Sequence, residues 1–163
     1  MSLQLVVRSF AFALPLILTA SSGFAQMPNP YGAPISLENA KKAAAAAVAE
    51  ARKNNWTMAV AITDPGGALV YFEKMDGLQT GSVNVAIGKA RAAALYKRPT
   101  QVWQDIVAGG GAGLRILGLE GAVPIGGGVP LVVDGKLVGA IGLSGGSAAQ
   151  DDQCARAGAD AVK

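Results

Sequence analysis

The chain of 163 residues contains no histidine. That absence excludes Ser-His-Asp and Cys-His catalysis, His-ligated zinc and the commonest haem ligand. Cysteine is almost absent as well: Cys154 stands alone, so no disulfide can close within the chain. Its place at a core position of the last helical stretch reads as a small buried apolar side chain. Positive charge is thinly spread; the formal net charge is +3 with no basic block, which is no footprint for a nucleic acid. There is no CxxC pair, no pair of carboxylates suited to glycosidase chemistry, and no expected metal site made of protein ligands alone. Beyond the first 25 residues no apolar run is long enough to span a bilayer.

What is present begins with a leader. Residues 1–25 carry Arg8, an apolar run from Phe10 to Leu18, and Gly23-Phe24-Ala25 ahead of Gln26. This is the pattern of a secretory signal peptide, and it predicts a periplasmic or secreted protein. Loss of Arg8 with the leader lowers the net charge to about +2. Residues 26–35 hold three prolines and no periodicity, and read as a flexible N-terminal arm. Residues 36–163 are a normal size for one domain with one core.

Within that domain Ser36 is placed to cap a helix, with Glu38 near its positive end. Leu37, Ala40, Ala44, Val48 and Ala51 recur on one helical face, and Asn54-Asn55 suits the helix end. Trp56 to Thr63 reads as a strand with Trp56, Met58, Val60 and Ile62 on one face, and Thr57, Ala59 and Ala61 on the other. Asp64-Pro65-Gly66-Gly67 is a turn, and Ala68 to Met75 returns antiparallel. Thr80 or Ser82 is placed to cap the next helix, with Val83, Ile87, Ala90 and Ala94 as its buried stripe. Lys89, Arg91, Lys97 and Arg98 make its C-terminal half basic, either as solvated charge compensating the helix dipole or as a site for ligand carboxylates. Pro99 ends it, and Thr100 is placed to cap a short helix through Gln101, Trp103 and Ile106.

A glycine-rich stretch from Ala108 to Gly113 and a turn with Leu114, Ile116, Leu117 and Leu119 lead to a second hairpin. Its centre is Asp134-Gly135, a pair that tolerates the positive φ angles of a type I′ turn. In the returning strand Leu137, Ile141 and Leu143 share one face. Val138, Ala140, Gly142 and Ser144 share the other, where small side chains admit a packed helix, a partner chain or a flat ligand. Ser147 and Gln150 form a capping box for a last helix running to about Val162, with Asp151-Asp152 in its first turn. The order α-β-β-α-α-β-β-α predicts an α+β domain, an antiparallel sheet of two hairpins with helices packed on it.

Glycine invites nucleotide motifs, and two fail. Gly109-Gly110-Gly111-Ala112-Gly113 follows a helix and lacks the last glycine of the dinucleotide fingerprint. Gly81 to Gly88-Lys89 has the wrong spacing for a phosphate loop, and Ala90 stands where a hydroxyl would hold magnesium.

Several blocks carry a family likeness. They are Val60-Ala61-Ile62-Thr63-Asp64-Pro65-Gly66-Gly67, Phe72-Glu73-Lys74-Met75-Asp76-Gly77, Gly88-Lys89-Ala90-Arg91-Ala92-Ala93-Ala94 and Arg98-Pro99-Thr100. Gly127-Gly128-Val129-Pro130, Asp134-Gly135 and Gly142-Leu143-Ser144-Gly145-Gly146 before Gln150-Asp151 follow in order. Together they resemble the GlcG/HbpS family across nearly all of the mature chain. The resemblance implies a profilin-like sandwich that assembles into homo-oligomers, with haem or a related tetrapyrrole as the ligand class and a corrinoid second. It places Thr100 at the iron-side contact, with Tyr96 as the alternative because a phenolate is the better ligand for ferric iron. Lys89, Arg91 and Arg98 would neutralise propionates. Sensor members of the family carry Glu-x-x-Glu pairs for iron; this chain has none, so an iron-sensing role is not implied.

Three functions are consistent with these residues. The first is an exported protein that buffers or delivers haem. The second is an enzyme on small organic molecules using Asp64, Asp76, Lys89 or Asp151 for proton transfer. The third is an accessory oligomer without catalysis.

Overall fold

The structure, a computed structural model, describes residues 29–163; the leader 1–25 and the first residues of the arm lie outside the described residues. Helix α1 spans Leu37–Lys53 and is followed by the hairpin β1 (Ala59–Thr63) and β2 (Leu69–Lys74). Helices α2 (Ser82–Leu95) and α3 (Thr100–Ala108) come next, then a 3-10 helix over Gly111–Gly118. The second hairpin, β3 (Gly128–Val133) and β4 (Lys136–Ser144), leads into α4 (Ala148–Asp160). All strand pairs are antiparallel, in the order β2-β1-β4-β3. This is the α+β arrangement that the element order predicts, and the profilin-like one that the family resemblance implies.

The two faces of the sheet have different chemistry. Val60, Ile62, Val129, Leu131, Ile141 and Leu143 form one core with the alanine stripe of α1 and with Cys154 and Ala155 of α4. On the other face Ala59, Ala61 and Ala140 lie under Ala86, Ala90, Ala93 and Ala94 of α2. The small-residue faces of β1 and β4 are thus the bed of a packed helix. A Cβ at Gly142 would run into the Ala86 carbonyl and the Ala90 amide, so glycine here sets how close α2 can lie.

Turn chemistry follows the residues closely. Asp134 and Gly135 have φ of 47° and 72°, the two left-handed positions of a type I′ hairpin. Ser147 and Gln150 complete their capping box, and the Ser36 hydroxyl accepts from the Asn39 amide at the start of α1.

Several expectations are corrected. Leu37 is exposed, because the stripe that meets the sheet is made of alanines one turn on. The first strand begins at Ala59: the Trp56 amide still bonds to Ala51 O of α1, and the Met58 amide donates to the Met75 sulfur. Helix α2 starts at Ser82 behind Gly81 with no side-chain cap; Gln79 donates to the Ser82 hydroxyl. Of its expected buried stripe, Ala90 and Ala94 are buried. Ala86, Lys89, Ala90 and Ala93 face inward while Val83 and Ile87 are half-buried, because a bed of alanine and glycine has no room for branched side chains. Pro99, not Thr100, occupies the N-cap of α3, and Thr100 is its first helical residue. The Leu114–Leu119 turn is largely 3-10 helix.

Beyond Thr63, where β1 leaves the edge of β4, residues Pro30 to Ile35 take its place. Leu137 donates to Pro30 O at 2.9 Å, and Gly32 and Ile35 donate to Leu137 O and Val138 O, both at 2.8 Å. The segment expected as an arm is hydrogen-bonded along this edge. Among the described residues no helix is long and apolar enough to cross a membrane.

Cys154 is buried in the α1–α4 side of the core. Burial, with the nearby charges of Glu50 and Asp151, pushes its thiol up from 9.0 to about 11. At pH 8 the native thiolate fraction is then about one in a thousand, so a disulfide reagent should label Cys154 only on unfolding. Because the folded value is the raised one, the stabilising contribution is complete below pH 9.0 and lost as pH rises through about 11. Native labelling at a free-thiol rate would refute this placement.

Candidate ligand site

Helix α2 presents Gly88, Arg91 and Leu95 at one-turn intervals on its outer side, followed by Tyr96 at its C-cap. The loop Glu120–Val123 stands opposite, and the two walls enclose a cleft of about 550 Å³. That volume is within the range of small-molecule and cofactor sites. Gly88 lets the loop approach: a Cβ there would lie 3.2 Å from Val123 Cγ2. Gly121, with φ of 70°, turns the loop, and the Tyr96 hydroxyl donates to Glu120 O at 2.7 Å. Behind the cleft the Tyr96 ring meets buried Trp103 edge-on at 4.8 Å, which fixes the tyrosine against α3. Arg91 brings the positive charge to apolar walls. A second cleft of about 330 Å³, lined by Gly66, Gly67, Ala68, Leu69 and Ile87, adjoins Arg91 on its other side.

The remaining residues singled out from the sequence lie elsewhere. Lys89 points inward, to the sheet. It is 1% exposed, and its Nζ donates to Asp151 Oδ2 at 2.6 Å and to Leu143 O at 3.0 Å. Asp151 Oδ1 accepts from the Gly146 amide at 3.0 Å. Burial pushes the Asp151 carboxyl above its ordinary value, with Lys89 and the Gly146 and Gly145 amides pulling the other way. Gly127 covers the pair with φ of 111°, where a Cβ would stand 2.6 Å from Asp151 Cβ and 3.1 Å from Lys89 Nζ. This is an internal clasp joining α2, β4 and α4.

Thr100 is fully buried, and its hydroxyl donates to Ile125 O at 2.7 Å and accepts from the Gly128 amide at 2.9 Å. Gln104, one turn later, accepts from the Gly126 amide at 2.9 Å, so α3 staples down the strand's glycine lead-in. Arg98 donates from Nε to Tyr96 O at 3.2 Å. Asp64 accepts from the Ala68 amide inside its own turn, and Asp76 is exposed at the far end of the hairpin. Of the nominated residues the cleft gathers Arg91 and Tyr96; Lys89 and Asp151 meet inside the core; Asp64 and Asp76 stay apart. The sequence reading missed the 120–123 wall, for which Glu120-Gly121 offers only a turn signal.

These features define an α+β domain with an alanine-and-glycine interior under one helix and, outside it, a cleft lined by apolar groups together with Arg91, Tyr96 and Glu120. The sequence model for the family described as "Haem degrading protein HbpS-like" matches residues 35–160, and the chain belongs to that family. Protein GlcG of Escherichia coli strain K12 is 38% identical over 110 residues, which is 68% of this chain and 81% of GlcG. Among solved structures, a double mutant of Streptomyces reticuli HbpS superposes with a TM-score of 0.74 at 30% identity, covering 94% of this chain and 99% of that one. A PduOC:heme complex superposes at 0.72 with 31% identity, covering 80% of this chain and 96% of that one.

Proposed function

We propose that this chain binds haem in the cleft between α2 and the Glu120–Val123 loop, as an exported, homo-oligomeric protein that buffers or delivers it. The observation that carries the reading is the cleft itself: apolar groups of Leu95, Ala122 and Val123, with Arg91 and Tyr96 on one wall and Glu120 on the other. Those residues fit the group. Arg91 would hold a propionate by charge-assisted hydrogen bonds, and Leu95, Ala122 and Val123 would exclude water from the ring face. Bound haem would supply its iron, for which Tyr96 would offer a phenolic oxygen from the cleft wall. Thr100, with its hydroxyl engaged by Ile125 and Gly128, supports this site from behind. The haem complex of the structurally similar PduOC and the HbpS-like membership support the ligand class. The leader pattern of residues 1–25 supports export.

The enzyme reading has no comparable support. Lys89 and Asp151, its best acid–base pair, are 1% and 2% exposed and spend their polar atoms on each other and on backbone groups.

Haemin titration of the chain from Gln26 onward, followed by absorbance, should show saturable one-to-one binding. Arg91→Ala should weaken it about tenfold, equivalent to about 1.4 kcal/mol, and Tyr96→Phe should shift the absorbance band of the complex. Weak, unsaturable binding indifferent to both changes would sink the proposal.

A further inference from the structure

The C-terminal end of α2 is unusually burdened. Its last residues, Leu95 and Tyr96, form part of the cleft wall, and its last turn is closed by the Arg98 amide on Ala93 O at 3.3 Å and the Lys97 amide on Ala94 O at 3.4 Å. Immediately after it Lys97 takes the left-handed φ of 53° that this kind of helix cap uses, which turns its side chain and the helix end toward the N-terminal segment.

The N-terminal segment adds side-chain contacts to this cap. The Tyr31 hydroxyl shares its one proton between Leu95 O at 3.0 Å and Ala94 O at 3.3 Å. Lys97 Nζ sits 3.8 Å above the centre of the Tyr31 ring and donates to Asn29 O at 3.3 Å. The segment itself is anchored by its three backbone hydrogen bonds to Leu137 and Val138. On the other side, Tyr96 ties the same helix end to Glu120 O. A line of contacts therefore runs from the edge of β4, through Tyr31, to the last turn of α2 and across to the opposite wall of the cleft.

We infer that residues 29–35 are a strap, and that Tyr31 is a positioning residue that holds both cleft walls in their ligand-binding geometry. Tyr31 itself touches no ligand; it acts through Leu95 and Tyr96. The ligand part of this inference rests on the haem reading, whereas the ordering of the two walls does not.

Tyr31→Phe is the test, because it keeps the ring under Lys97 and removes only the hydroxyl. Tyr71→Phe is the control, removing a hydroxyl that bonds Glu73 on β2, away from the cleft. Amide hydrogen exchange in the full chain is read for peptides covering residues 94–98 and 119–123, with haemin affinity measured in parallel. The strap predicts that Tyr31→Phe speeds exchange about tenfold in both segments and weakens haemin binding several-fold, while Tyr71→Phe changes neither. Faster exchange in 94–98 alone, or in neither segment, overturns the inference. So does unchanged haemin affinity in a chain that binds haemin. If both segments respond and the wild-type chain takes no haemin, the strap stands and the haem reading falls.

Discussion

Asp151→Ala is expected to lower folding stability by about 3–5 kcal/mol, although Asp151 lies outside the cleft. The cost is that of stranding a charge: without the carboxylate, Lys89 Nζ keeps only Leu143 O inside a site closed over by Gly127. Lys89→Ala should cost a similar amount, because Asp151 would then hold a buried carboxylate on backbone amides alone. Removing both charges together is a different experiment. In Lys89→Met/Asp151→Leu no ion is left to bury, and the double variant should recover most of the loss. Urea denaturation of the four proteins checks this. A single-variant loss below about 1 kcal/mol would mean that the pair is hydrated in solution, as surface pairs are.

Gly142→Val should be at least as damaging, through volume in place of charge. Gly142 faces Ala61 and Gly128 across the sheet, and α2 rests on it with backbone atoms. A branched side chain cannot be absorbed by a rotamer change there, since the atoms in its way are the Ala86 carbonyl and the Ala90 amide. Helix α2 must lift off the sheet, uncovering Ala59, Ala61 and Ala140 and misplacing Arg91. The expected loss exceeds about 4 kcal/mol, enough to prevent accumulation of folded protein. Gly81→Ala is the matching control. It has nothing within 4 Å of the added methyl and an ordinary φ of −61°, so soluble yield and urea midpoint should stay close to wild type. A Gly142→Val chain as stable as that control would show that α2 does not pack against the sheet this closely.

Both effects bear on what the residues alone could reveal. Element order, both hairpins and the two-faced strands were legible because each rests on local periodicity or on a turn pair such as Asp134-Gly135. The capping box at Ser147 was legible for the same reason. The inward face of α2 was legible only at Ala90 and Ala94: the branched Val83 and Ile87 read as part of the same stripe, and only the flat bed of the sheet selects Ala86, Lys89 and Ala93 in their place. Lys89 read as a surface cation because its partner is 62 positions away on another helix. Tyr31 gave no signal for a like reason, since its partners are the backbone of residues 94 and 95 and the ring is met by Lys97. Arg91 and Tyr96 were found because they share a short stretch of one helix, whereas the opposing wall comes from a loop with little sequence character.

The strand order has a consequence for how the molecule assembles. β1 with β2, and β3 with β4, are neighbours along the chain and can pair as soon as each is made. The central seam is different: β1 meets β4 only after α2, α3 and the 3-10 helix have been looped out between them. Loop closure of that span must precede the contacts that reward it, so the joining of two finished hairpins is the slow event in folding. During synthesis the first hairpin must wait, with one edge bare, until nearly the whole domain has left the ribosome.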